Sequence, residues 1–439
     1  MTPRGGDSRG PEPPARLPYG TGGLDLPAAP FRLEPVAPPR TSSTPVGEDG
    51  ICEALARPFA SPPLAEIFRG ARRVLVVVSD ATRSTGARDF LPPLVEEIEA
   101  VSRADVRFVV ASGIHRRPTP EDLEAILGPR LTARHEVLLH DPDDQDRLRE
   151  LGRTRAGTPV SVHGALRDHD RIVLTGAVGF HYYAGFSGGR KAVVPGLASR
   201  ATVTANHLRA LRADGTRHPL ARAGRLAGNP VHRDMVEGAA LVAPHLLVNS
   251  VMTESGAIER LWVGHWRKTH EAACRHMRAS RSVRLRPRPL VVASAGGEPG
   301  DVNLIQAHKA FEAAIGALEP GGVFVLVARC REGEGHPDFL PAFRAEGEEA
   351  MVRILRRDFR VYGQTALSWY RKARACRLIL VSGLPADTVR LLGAEPAVDL
   401  EEAFRAARGS LGAGARGWVL AHGSRLLVER DTRQDGGRA

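Results

Sequence analysis

The chain has 439 residues, 42% hydrophobic and 25% charged, which excludes a disordered or fibrous polymer and exceeds what one compact core usually organises. The formal charge is +11, yet only four of the 61 basic residues are lysines, and the arginines are dispersed among acids without the dense runs of a nucleic-acid arm. The four scattered cysteines form no CxxC pair, no apolar leader is visible and no apolar run could span a bilayer; the expectation is a cytoplasmic two-domain protein with no nucleic-acid or membrane partner.

Residues 1–16, rich in proline and glycine, read as a disordered tail, and a weak alternation from Leu24 to Val36 predicts an edge hairpin. Arg73–Ser79 is a β-branched run without polar alternation, the signature of a parallel strand buried on both faces. Phe90–Val101 then has helical spacing, and Val106–Ala111 is a second buried strand. Thr119 precedes a proline and two acids, the start signal of a helix. Strands follow at Arg171–Thr175 and Leu246–Met252. After Arg286 a second series begins, with strands at Leu290–Ala295, Val323–Ala328 and Leu378–Ser382 and helices at Ile305–Ala317 and Gly347–Arg356. Two short strands near Gly417–Ala421 and Arg425–Glu429 could join either domain.

This βα alternation predicts an α/β protein of two domains with mostly parallel, Rossmann-like sheets flanked by helices. The expected domains are residues 17–285, residues 286–410, and a segment 411–439 that could return to the first.

Ligands of open α/β sheets sit beyond the carboxyl ends of the strands, so the residues after each apolar run are the candidates. The first run delivers Asp80, Thr82 and Arg83, suited to a polar ligand but equally to a helix cap with its ion pair. The second delivers Ser112-Gly-Ile-His115, an imidazole with a pKa range suited to proton transfer, or a plain loop histidine. The third is the densest: His181-Tyr-Tyr-Ala-Gly-Phe-Ser187-Gly188-Gly189-Arg190-Lys191, with His207 sixteen residues on. Its glycines beside adjacent cations have the composition of a phosphate cradle, although the Walker spacing is absent. In the second domain Gln306 and Lys309 are three apart and would share a helix face. The first strand runs into DATRST where a nicotinamide dehydrogenase would carry G-x-G-x-x-G, which argues against that class.

Taken in order, SDATRSTG (79–86), SGIHRRPT (112–119), GFHYYAGFSGGRKAVVPG (179–196), His207, GNPVHRDM (228–235), NLIQAHK (303–309) and EGEGH (332–336) resemble the nickel-dependent lactate racemase family, from about residue 17 to the end. The resemblance implies a racemase or epimerase of a 2-hydroxy acid, with its active site in the interdomain cleft. It implies a nickel-pincer nucleotide as cofactor, a nickel-bearing pyridinium mononucleotide linked in some members through a lysine. By position, His115 and His181 would be the paired catalytic bases and His207 the metal ligand. Lys191, Asp80, Thr82, Ser187, Gly188, Gly189 and Arg190 would bind the cofactor, with Lys191 its covalent anchor. Arg83, Gln306 and Lys309 would bind the substrate. Transient partners would be the enzymes that make the cofactor.

The chain departs from lactate-acting members at Ile305, where they tend to carry tyrosine, and in GGEPGD (296–301), where they resemble GGYPKD. These changes favour a 2-hydroxy acid other than lactate. A non-catalytic binder of nickel or the nucleotide is the alternative, and the presence of both histidines counts against it.

Overall fold

The computed structural model describes residues 15–28, 30–37, 44–253 and 255–431. The chain divides into two compact units, Thr41–Ala279 and a second that joins Met1–Arg40 to Ser280–Ala439. Each is an α/β unit built on a six-stranded sheet.

In the first unit, β1 (Arg73–Ser79), β2 (Asp105–Ala111), β3 (Val137–Leu139), β4 (Arg171–Ala177), β5 (Leu246–Met252) and β6 (Ile258–Gly264) lie in the order β6-β5-β4-β1-β2-β3. Every pairing is parallel except that of β5 with β6. The apolar run of β1 has a direct cause. Side chains alternate across a strand, so Val74, Val76 and Val78 enter the core on one face while Leu75 and Val77 enter the core on the other.

The first face packs on α1 (Ala87–Val101) through Phe90, Leu94 and Ile98, and on α2 (Pro120–Arg134) through Leu127 and Leu131. The opposite face packs on α3 (Arg200–Leu208) and α4 (Pro230–Val242) through Val203, Val231, Met235 and Ala239. The start signal at Thr119 is a full capping box: Asp122 N–H donates to the Thr119 hydroxyl at 3.3 Å, and Thr119 N–H donates to the Asp122 carboxylate at 2.9 Å. A further helix, α5 (Trp266–Arg281), closes the unit. The strand order reverses between β1 and β4, so the carboxyl ends of these two strands flank a crevice of the kind that holds ligands in doubly wound folds.

In the second unit, β7 (Arg288–Ser294), β8 (Leu318–Val327), β9 (Arg377–Val381), β10 (Glu395–Ala397) and β11 (Arg416–Leu420) order as β10-β9-β8-β7-β11, all parallel. The strand Arg32–Pro35 adds to the free edge of β11, also parallel. The helix α6 (Leu304–Ala314) follows the loop after β7 and is capped by Asn303, which accepts from Gln306 N–H at 3.0 Å.

Two boundaries differ from the sequence expectation. Residues 17–37, expected in the first domain, belong to the second unit: Arg16–Tyr19 pairs with Gly22–Asp25, while Arg32–Pro35 enters the far sheet. The expected single hairpin over Leu24–Val36 is thus two separate pairings. The last strands also stay in the second unit, β11 within its sheet and Leu427–Arg430 parallel to Ser282–Leu285. The pairings of Arg32–Pro35 and of Leu427–Arg430 join positions far apart in the chain, and local pattern carries no trace of them. The expected tail lies outside the described residues except for Ala15 and Arg16. Among the described residues no helix is long and apolar enough to cross a membrane.

Two histidines of the first unit make its stability acid-sensitive. His163 is pushed down to about 4 by burial and the neighbouring charge of His140, and His232 to about 3 by burial and then Arg190. Both stay neutral in the fold, whereas an unfolded chain protonates them near pH ~6.5. Stability is therefore full above that pH and is lost as pH falls from it toward 4. Two such groups should lower unfolding free energy by about 2–3 kcal/mol per pH unit in that window. Urea titrations at pH 7.5, 6.0 and 5.0 read this directly. The double variant His163→Gln/His232→Gln should show a shallower slope, and an equal slope would refute the account.

Candidate active site

Three segments leave the carboxyl ends of β1, β2 and β4. After β1 the chain turns at Asp80, whose side chain is 8% exposed. Its Oδ1 accepts from Thr82 N–H at 2.9 Å and from the Thr82 hydroxyl, which holds the turn that presents Thr82 and Arg83 to solvent. Its Oδ2 lies 2.8 Å from Nδ1 of His115, the residue that leaves β2. Burial alone would raise the Asp80 carboxyl, but the hydrogen bond and charge of His115, the Thr82 hydroxyl and the charge of Arg83 hold it below its ordinary value. Asp80 does not cap α1, a position that falls to Gly86.

His115 keeps 26% of its side chain exposed. Its turn needs Gly113, which sits at φ +58° and donates its N–H to Gly196 O at 2.9 Å, docking the segment onto the loop that follows Lys191.

After β4, Phe180–His181 pairs with Gly185–Phe186 in a tight hairpin. The Ala184 N–H donates to Nδ1 of His181 at 3.2 Å. Tyr183 is buried with its ring centroid 4.4 Å from His181 and 5.0 Å from His207, so one aromatic ring joins the two imidazoles. Burial, then the charges of Lys191 and Arg83, holds His181 well below the usual imidazole range. His207, on α3, is pushed down to about 3 by burial and the charge of Lys191. Both are neutral at physiological pH. Arg83 bears on both Asp80 and His181, so the segments from β1, β2 and β4 share one electrostatic neighbourhood at the switch point.

The loop 187–191 has a different internal logic from a simple cradle. The Ser187 hydroxyl accepts from Gly179 N–H at 2.7 Å and donates to Ala177 O at 2.8 Å. A side chain at Gly188 would stand 2.7 Å from Asn249 Oδ1, and one at Gly189 2.6 Å from the His270 ring. Close packing against protein thus demands both glycines, which also have positive φ. Arg190, expected at the cofactor, turns inward. It is 1% exposed, donates from Nη2 to Ala184 O at 2.9 Å and from Nη1 to Gly188 O at 3.2 Å, and lies 3.0 Å from His270 Nε2. Its two terminal nitrogens are thus spent on the backbone carbonyls of Gly188 and Ala184, an inward role that differs from the anion contact expected from sequence.

Sequence reasoning missed the supports. Asn249, fully buried on β5, donates to Gly176 O at 3.1 Å behind the loop. Asn229 caps α4 and donates to Tyr183 O at 2.8 Å. Asp234 accepts from Asn206, next to His207, at 2.8 Å and from the Thr154 hydroxyl at 2.5 Å. GNPVHRDM (228–235) therefore orients the His181 hairpin and the helix that carries His207. Polar residues spaced along an otherwise apolar helix were the available signal.

Gln306 and Lys309 lie on α6 of the second unit. The Lys309 ammonium donates to Gln306 Oε1, which leaves the amide nitrogen of Gln306 as a donor. The pair thus offers donors to an anion. Beside this helix start, Glu298 is engaged by Arg331 at 3.1 Å.

Among the described residues no group of three or more His, Cys, Asp or Glu side chains is placed to hold a metal ion. The neutral imidazole of His207 still suits a borderline metal such as nickel, and a bound organic group would have to supply the other ligands. A cofactor that brings its own donors fits this residue set.

Comparison with known proteins agrees with this layout. A family model described as the lactate racemase N-terminal domain matches residues 19–218, and one described as the lactate racemase C-terminal domain matches residues 283–428. Lactate racemase of Thermoanaerobacterium thermosaccharolyticum is 30% identical over 347 residues, 78% of this chain and 80% of that protein. Lactate racemase of Lactiplantibacillus plantarum is 30% identical over 293 residues, 66% of this chain and 68% of that protein. The solved structure of the lactate racemase apoprotein from Thermoanaerobacterium thermosaccharolyticum superposes with a TM-score of 0.88 at 28% identity, covering 94% of this chain and 99% of that one. A Thermotoga maritima protein at 19% identity and a TM-score of 0.64, covering 89% of this chain and 100% of that one, shares the fold.

Proposed function

The chain belongs to the lactate racemase family and is an isomerase of the racemase type, and from that premise we propose that it inverts the carbinol carbon of a 2-hydroxy acid with a bound nickel-pincer nucleotide. The observations that carry the reading are the Asp80–His115 contact at 2.8 Å and the Tyr183 ring that joins His181 to His207, with the charge of Lys191 bearing on both of these histidines.

When bound, such a group supplies an electron-poor centre able to take hydride from the carbinol carbon and return it. The protein does the rest. Lys191 would anchor the cofactor and His207 would ligate its nickel, while Thr82, Ser187, Gly188 and Gly189 border it. Arg83 holds the acid with its exposed guanidinium, and Gln306 and Lys309 contribute donors to the substrate carboxylate. An imidazole takes the hydroxyl proton as the carbinol carbon flattens to that of a 2-keto acid. The imidazolium so formed returns its proton to the oxygen, directly or relayed through the other imidazole, as re-addition on the opposite face gives the other hand, and both rings end neutral. A histidine could not remove the Cα proton of a hydroxy acid unaided, which is why the carbon is oxidised and not deprotonated. Enzymes that make the cofactor are the proposed transient partners.

The relatives are lactate racemases, but the departures at Ile305 and in GGEPGD (296–301) would reshape the substrate side if the resemblance holds there, and on that ground the proposed substrate is another 2-hydroxy acid. The test is to express the protein with cofactor-synthesis enzymes, measure bound nickel and intact mass at Lys191, and screen 2-hydroxy acids by chiral separation. A substrate deuterated at C2 should keep its label through inversion in water. Washout of the label would replace hydride transfer by deprotonation.

Lys309→Met is expected to raise KM about 10–100-fold, the effect of losing one charge-assisted hydrogen bond, with a smaller change in kcat. Steady-state kinetics of the loaded enzyme decide this, and an unchanged KM removes Lys309 from the substrate site.

A further inference from the structure

We infer that Asp80 and the Ala184 amide set the two catalytic imidazoles to opposite tautomers, His115 with a bare, proton-accepting Nε2 and His181 with a protonated, donating Nε2. The inference rests on the functional reading only in calling these imidazoles catalytic. The tautomers follow from their partners.

A neutral imidazole has one donor and one acceptor nitrogen, and whichever partner one nitrogen meets decides the state of the other. At 2.8 Å from Nδ1 of His115 stands a carboxylate oxygen of Asp80, which can only accept. Its Oδ1 accepts from both the Thr82 N–H and the Thr82 hydroxyl, and the charge of Arg83 adds to the lowering of this carboxyl. Nδ1 of His115 is therefore the donor, and in the neutral ring its Nε2 is bare. At 3.2 Å from Nδ1 of His181 stands the backbone N–H of Ala184, which can only donate. Nδ1 of His181 is therefore the acceptor, and the proton sits on Nε2. The hairpin that pairs His181 with Gly185 keeps this amide in place.

The two histidines are thus not interchangeable bases. Neutral His115 can take a hydroxyl proton without a change of tautomer, and Asp80 then faces the imidazolium that results. His181 can donate a hydrogen bond to a substrate oxygen but must exchange tautomers before its Nε2 can accept. Asp80 is a positioning residue for His115, a role different from the cofactor contact expected from sequence.

Asp80→Asn makes a directional test. Thr82 N–H at 2.9 Å points at Oδ1, so the carbonyl oxygen of an asparagine stays there and its NH2 replaces Oδ2. That NH2 donates to Nδ1 of His115 and forces the ring proton onto Nε2. The substitution reverses the tautomer and removes the only ring that stands ready to accept. Asp80→Ala imposes neither tautomer, so it should retain more activity than Asp80→Asn. A merely structural role would rank them the other way.

The experiment is nitrogen NMR of the unloaded protein labelled with 15N-histidine, with His115→Ala and His181→Ala assigning the two rings. Expected are a protonated Nδ1 on His115, a protonated Nε2 on His181, and reversal at His115 in Asp80→Asn. Racemisation by loaded Asp80→Asn should fall on the order of 10³–10⁴-fold with an unchanged unfolding midpoint. The same tautomer in both rings, or no reversal in Asp80→Asn, overturns the inference. Reversal with full racemisation overturns instead the assignment of His115 as the base.

Discussion

Alanine at His115 is expected to lower racemisation of the preferred 2-hydroxy acid by about 10³-fold or more, and alanine at His181 by a similar factor. General acid–base catalysis by a positioned imidazole accounts for about 10²–10⁴ in rate, and the proposal gives each histidine a part in moving the proton on and off the substrate oxygen. Because a racemisation has an equilibrium constant of one, kcat/KM must be equal for the two hands in every variant. Loss of either imidazole therefore slows both directions equally, even though it removes only one of the two proton transfers. His115 is partly exposed, but it partners the buried Asp80 carboxylate, so its truncation carries a structural cost. His181 sits against Tyr183 and accepts from Ala184, so its truncation has a structural cost as well. His181→Gln, whose amide can still accept that N–H, separates the two effects: stability should return and activity should not. Chiral chromatography of each pure enantiomer, at saturating and at low substrate, measures all of this. Near-full racemisation by His115→Ala, or by His181→Gln, would take that residue out of the proton transfer.

What the sequence showed and what it hid divide along the range of the interactions. The strand at Arg73–Ser79, the start signal at Thr119 and the glycine-rich turn after β4 depend on neighbours within a few positions, and each is found where the pattern put it. The candidate residues Asp80, His115, His181, Lys191 and His207 were legible because ligands gather at strand carboxyl ends, and β1, β2 and β4 are buried runs with clear stops. The pairing of Asp80 with His115 spans 35 positions, so spacing alone left Asp80 open between a helix cap and a ligand site. The strand Arg32–Pro35 pairs with β11 nearly the whole length of the chain away, which no local alternation encodes. Arg190 is the sharpest case. An arginine beside a lysine after two glycines reads as an anion contact, and only the carbonyls of Ala184 and Gly188 with His270, 80 positions on, reveal that it faces the core.

That inward turn leads to a second large effect. Arg190 remains cationic at neutral pH although burial pushes it down to about 10. Its donors join the hairpin of His181 through Ala184 and the loop of Lys191 through Gly188, and its guanidinium packs 3.0 Å from Nε2 of His270 on α5. Arg190→Met keeps most of the volume but leaves these partners buried without their donor. Hydrogen bonds to charged groups are worth about 1.5–3 kcal/mol each, and relief of the buried charge offsets part of that sum. The net expectation is a loss of roughly 3–5 kcal/mol, or about 10 °C in the unfolding temperature of the unloaded protein. Racemisation should be lost with it, since the hairpin and the loop carry His181 and Lys191. Arg190→Lys keeps the charge but not the fork that reaches two carbonyls, and should recover only a small part of either property. The opposite result has a definite meaning. If Arg190 bound the cofactor phosphate, Arg190→Met would leave the unloaded protein as stable as before and weaken only cofactor retention, and lysine would rescue it. Differential scanning calorimetry of the unloaded variants therefore decides between a cation that binds a ligand and one that holds the site in shape.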